Sequence, residues 1–146
     1  MHAYAPAQDR PFTPRGSAMY DPRAVDANAT PEERTWATFQ HLGGLMAWFV
    51  IGPFCVLVPL VMWLIKKDES EYLDDHGREA LNFELSLLLY ALLLIPVAIL
   101  TLGLGALLYI PWAALGLIGP IVGSVAANKG RYFRYPATIR FIAPRY

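Results

Sequence analysis

Two long stretches without formal charge divide the chain. Arg34 and Lys66 bracket the first, and Glu84 and Lys129 bracket a longer second one. A bilayer core takes about 20 apolar residues per crossing helix. Ser86–Asn128 is therefore long enough for two spans, and Thr35–Ile65 for one long span or a broken one. The pattern predicts an all-α integral membrane protein with hydrophobic segments at about 35–65, 80–100 and 106–127. A charged loop over 66–79 joins the first two, and a basic, aromatic tail over 129–146 follows the third. As a straight helix Thr35–Ile65 would be about 46 Å long, more than a hydrocarbon core of about 30 Å. It tilts, extends into the headgroups, or breaks near Gly52–Pro53, where two half-helices could form a hairpin. The outcome is a bundle of three helices or four.

Local signals refine the ends. Thr30 can cap a helix, Pro31 suits its first position, and Glu33 suits the positive end of the dipole. "NKG" at Asn128–Gly130 suits a helix end, with Lys129 at the negative pole and Gly130 free to turn left-handed. "TLGLG" (Thr101–Gly105) reads as a tight turn. Residues 1–34 have many Pro and Ala and no apolar periodicity, and read as a disordered tail without an apolar signal region. Tyr4, Phe12 and Tyr20 within it offer a binding motif as the alternative. Trp36 and Trp63 mark membrane interfaces, with Lys66 and Lys67 just beyond.

Composition agrees. Hydrophobic residues are 55% of the chain and charged residues 16%, against about 25% charged in a soluble domain. Lys66–Glu79 carries three positive and six negative side chains, whereas Lys129–Tyr146 carries five positive and none negative. This complementarity favours a cap in which loop and tail meet. The excess of Lys and Arg puts loop and C-terminus in the cytoplasm. The N-terminus lies outside if the first segment spans once, and inside if it is a hairpin. Cys55, the lone cysteine, reads as a small buried hydrophobe. No catalytic motif emerges. His2, His41 and His76 are far apart without Cys partners at metal spacing, and "LGLGALL" lacks the third glycine of a dinucleotide loop. The sequence predicts no cofactor and no enzyme.

"DDHGREALNFELS" (Asp74–Ser86) holds the most informative pattern. On a helix, Glu79, Asn82, Ser86 and Tyr90 share one face with His76 at its edge. Polar groups entering a membrane should face other helices or a wet cavity. Either they lock the bundle, or they line a vestibule for a substrate or translocating segment. Glu84 lies nearly opposite, placed to reach headgroups or a basic partner. Gly119, Gly123 and Ala127 form a small-residue face for packing within the monomer or in a homodimer. Arg78, Lys129, Arg131, Arg134 and Arg140 are candidates for the cytoplasmic cap or for anionic lipid, with Tyr132, Phe133 and Tyr135 at headgroup level. Nucleic-acid binding fits a membrane surface poorly.

Four strings in order, "TWATFQHLGGL", "PLVMWLIKKDES", "DDHGREALNFELS" and "AANKGRYFRYPATIRF", resemble a family of small bacterial membrane proteins related to the Tic-twenty import component of the chloroplast inner envelope. The resemblance runs from about Trp36 to Ile142. It implies a compact helical bundle in the bacterial cytoplasmic membrane and supplies no catalytic residues. With the polar stripe it suggests a non-enzymatic component that assembles with other membrane polypeptides or assists their translocation. The alternatives are a solute or ion pathway lined by the stripe, and a lipid-responsive structural protein acting through the basic tail.

Overall fold

The structure, a computed structural model, describes residues 25–143. The stretch before residue 25, with most of the expected disordered tail, lies outside the described residues, as does Arg145. The elements run α1 (Pro31–Ile51), a 3-10 turn (Gly52–Val56), α2 (Leu57–Lys66), α3 (Glu71–Leu100), a second 3-10 turn (Leu104–Leu108) and α4 (Tyr109–Asn128). Among the described residues the one β feature is an isolated bridge between Val25 and Arg131. Three helical stretches, Pro31–Lys66, Glu71–Leu100 and Leu104–Asn128, are long and apolar enough to cross a membrane. This is an all-helical membrane protein.

The first stretch folds back on itself. Lys66 Nζ lies 5.2 Å from the centre of the Trp36 ring, and a side chain at Gly43 would collide with Val58. A straight helix would hold both pairs far apart, so α1 and α2 form an antiparallel hairpin about Gly52–Val56. Trp36 to Ile51 spans about 22 Å, short of a core of about 30 Å. The tip is apolar, with Phe54 67% exposed, and its 3-10 turn satisfies backbone groups internally, as hydrocarbon requires. The bundle is thus four-helical, and the N-terminal segment meets the C-terminal tail: Asp26 N–H donates to Gly130 C=O at 2.8 Å.

The helix ends follow local chemistry. Thr30 and Glu33 form a reciprocal capping box at α1, satisfying donors that the first turn leaves open. At the end of α4, Gly130 adopts φ +70°. Arg131 N–H then reaches Ala126 C=O at 3.0 Å and Gly130 N–H reaches Ala127 C=O at 2.9 Å, closing the helix through a left-handed residue. The expected loop over 66–79 is a correction: α3 already begins at Glu71, capped by the Ser70 hydroxyl on Leu73 N–H. Helix-favouring spacing continues through Asp74–Glu79, and the charges there lie on the helix.

Small residues set the close approaches. Ala37 and Ala127 are fully buried between α1 and α4, with Tyr72 and Tyr132 alongside. A Cβ at Gly119 would meet Phe83, and one at Gly123 would meet the Tyr135 hydroxyl and His41. The Gly119–Gly123–Ala127 face is therefore occupied within the monomer.

Candidate functional site

The tail lies along α3 and covers the polar stripe. It runs down the helix from Tyr132, turns at Pro136–Ala137, and returns to Ala143. At each step a stripe side chain meets tail backbone. Glu79 Oε1 accepts from Tyr135 N–H at 2.8 Å. The Tyr90 hydroxyl donates to Ala137 C=O at 2.6 Å. Ser86 Oγ accepts from Ile139 N–H at 2.9 Å and donates to Asn82 C=O at 2.7 Å. The Asn82 amide serves Ile142 twice, donating to its carbonyl and accepting from its N–H, both at 2.9 Å.

The physical reason is depth. Gly119 sits beside Phe83 and Tyr135, and the outer face of α4 at this height is Leu117, Ile118, Ile121 and Val122, all about half exposed. That surface suits lipid. Irregular backbone at such depth survives only where its polar groups are satisfied by protein. The stripe supplies those partners, while Ile139 and Phe141 face outward. Asn82, Ser86, Glu79 and His76 are consequently at most 3% exposed.

Above this ladder lies a buried histidine pair. His41 Nε2 is 2.8 Å from His76 Nδ1, and His41 Nδ1 is 2.8 Å from the Tyr135 hydroxyl. With neutral rings, one member of each contact donates and the other accepts, so the His41 nitrogen that carries the proton sets the direction of both. The Tyr72 and Tyr132 rings enclose His76, and Tyr135 stacks on Phe83 at 3.9 Å between centroids. Tyr132 and Tyr135, expected at headgroup level, are each only 3% exposed. Their rings fill the space between α1, α3 and α4, which the small residues of α4 leave open. Tyr72 donates to Ala127 C=O at 2.6 Å and Tyr132 to Asp26 at 3.0 Å.

Ion pairs close the cap. Arg134 holds Asp75 through two nitrogens, each at 2.7 Å. Burial alone lowers the pKa of that guanidinium, but the bidentate bond to Asp75, with Glu79 nearby, leaves it above its ordinary value. Arg78 grips both Asp74 oxygens at 2.9 Å and donates to Ala143 C=O at 2.7 Å. Trp63 Nε1 also donates to Asp74. Arg140 reaches Glu79 at 3.4 Å. Lys129 and Arg131 are exposed.

Two features escaped sequence reasoning. The stripe's partner is the chain's own tail, and its hydrogen bonds run to backbone, which carries no side-chain signature. Glu84, expected at the headgroups, is 9% exposed, because α1 and the first 3-10 turn cover that face of α3. Cys55 Sγ donates to Glu84 Oε2 at 3.5 Å, and Gly44 leaves room for the carboxylate. No cluster of three or more His, Cys, Asp or Glu suited to a metal ion occurs among the described residues.

Compared with known protein families, residues 32–142 match the magnetosome magnetite crystal formation family (MamF/MmsF). The chain belongs to this family. No curated protein and no solved structure gives a match. The resemblance to the Tic-twenty-like family is overturned by this match, which covers the same region. The expectation of a translocation role loses the support that the resemblance lent it.

Proposed function

We propose that this chain serves magnetite crystal formation as a non-enzymatic module of the magnetosome membrane, which derives from the inner membrane, and that it works from the cytoplasmic face. One observation carries the reading. Among the described residues, no Asp, Glu, Lys or Arg lies anywhere in 35–65 or 85–128, so both hairpin tips, 51–56 and 101–108, carry none. An excess of Lys and Arg on one side favours a cytoplasmic cap. Among the described residues the opposite side then offers the vesicle lumen only the second turn, where Leu102 is 98% exposed. Among the described residues no charged side chain lies there to bind iron or a mineral face. Its contribution runs through the membrane and through assembly with other membrane polypeptides. A solute path along the stripe is disfavoured because the tail fills it.

The test is accessibility. In intact isolated magnetosomes, a membrane-impermeant maleimide is expected to label Lys129→Cys and to spare Leu102→Cys. The reverse pattern would put the cap in the lumen and sink the reading. Removing the chain is expected to change crystal size or number, with wild type restoring both.

A further inference from the structure

A cavity of about 260 Å³ lies where the first hairpin meets α3 and α4, walled by Trp48, Phe49, Cys55, Glu84, Leu87 and Trp112. No Lys, Arg or His is among its lining residues. Its walls are apolar apart from one carboxyl group that is nine-tenths buried and whose neighbour is a weak thiol donor. Trp48 and Trp112 meet edge to face at 5.8 Å between centroids and form an aromatic wall. Weakly paired ionisable groups in membrane segments are costly and mark functional sites.

We propose that this cavity binds a neutral, hydroxyl-bearing aromatic ring with an apolar tail, a lipid-soluble molecule of the quinol class. A ring hydroxyl donates to Glu84, the ring lies against the tryptophans, where aromatic geometry favours it, and the tail leaves into the bilayer. Depth decides among donors. Glu84 is seven residues beyond Gly77, which packs on Trp63, so it sits about 10 Å deeper along the helix than that ring. A fixed cationic headgroup pays a heavy transfer cost to reach this level, while a neutral hydroxyl ring arrives laterally at little cost. A bare acyl chain fills the volume but leaves the carboxyl with only the weak Cys55 thiol as a donor. Binding at this cavity does not depend on which side of the membrane the cap faces.

The test uses the full chain in phosphatidylcholine nanodiscs, with tryptophan quenching as readout. Three probes are titrated: a decyl-tailed benzoquinol, decylbenzene and decylamine. Saturable quenching by the quinol is expected, about tenfold weaker in Glu84→Leu, lost in Ala113→Phe and unchanged in Ser86→Ala. Ala113 is exposed at the cavity mouth, so Ala113→Phe decides the matter even where Glu84→Leu does not fold. Equal binding of decylbenzene would reduce the cavity to a lipid-filled groove. Preference for decylamine would make it a cation site, and quenching that never saturates would mean no site. Each of these three results overturns the proposal.

Discussion

The cap half and the tip half of this bundle handle the membrane in opposite ways. In the cap half, α1, α3, α4 and the tail bury Gln40, His41, Asp75, His76, Glu79, Asn82 and Ser86 almost completely. Most of their polar atoms meet a partner across long sequence separations. In the tip half the helices turn large apolar side chains outward. Trp48, Leu92, Leu93, Ile99 and Leu107 are at least 41% exposed, and the cavity at Glu84 opens between them. Both halves come from the same helices. Hydrocarbon gives apolar side chains no reason to prefer protein over lipid, so close packing must come from small residues and polar contacts. The cap half has many polar contacts between elements, whereas the tip half has few, among them Tyr109 to Ala91, Trp112 to Leu87 and Cys55 to Glu84. Order in this protein should therefore follow polar pairing rather than apolar area.

The hardest way to break that contrast is at Arg134–Asp75. Asp75→Ala leaves a guanidinium, 23% exposed in the pair, without its bidentate partner. Breaking a buried pair costs about 3 to 5 kcal/mol. The lower figure, about 3 kcal/mol, suits this partly exposed arginine. Equilibrium unfolding in detergent micelles measures it. Glu69→Ala removes the partner of Lys66 from a pair in which Glu69 is 54% exposed, and should change stability by under about 0.5 kcal/mol. Equal effects from the two substitutions would refute the idea that burial of the pair matters.

Asn82→Leu is the next step down. It removes two hydrogen bonds and strands the Ile142 N–H and C=O at apolar depth, for about 1 to 3 kcal/mol. The sharper readout is local. Amide hydrogen exchange should accelerate at Ile139 and Ile142 while Ala126–Ala127 stay protected, since their helix closure does not involve the tail ladder. Unchanged exchange at Ile142 would mean that the tail is held by its ion pairs and rings, and that the stripe is incidental.

What could be read beforehand follows the range of each interaction. The Thr30 cap, the Gly130 closure and the three apolar segments depend on neighbours within a few residues, and their signals stand in the sequence. The hairpin was legible only as an alternative, because a turn whose tip lies in lipid needs no polar residues and Gly52–Pro53 also suits a kink. The stripe was visible through its spacing, but not its occupant, which joins residues 47 to 60 apart through backbone groups. Glu84 was assigned to the wrong environment for a related reason. A helical wheel tells which residues share a face; it does not tell what covers that face. The pairing of His41 with His76 across 35 residues was equally out of reach. The family resemblance failed as well, overturned by the match of residues 32–142 to another family.

The smallest effect should come from the tip of the tail. Ala137 holds φ +56° at an exposed turn, a conformation that costs an L-residue about 1 kcal/mol or more. Ala137→Gly removes that strain but loosens the unfolded chain by a comparable amount. The expected balance is a stabilisation of about 0.5 kcal/mol, with slower exchange at Ile139 than in wild type. The Ala137 carbonyl, which accepts from Tyr90, is untouched by the change, so the ladder itself remains. A loss of stability would show instead that the methyl group matters where it lies beside Tyr90, Leu94 and Trp112. Apolar packing would then contribute even at the deepest point of the tail, and the division between a cap ordered by polar pairing and a tip left to lipid would have to be drawn lower in the bundle.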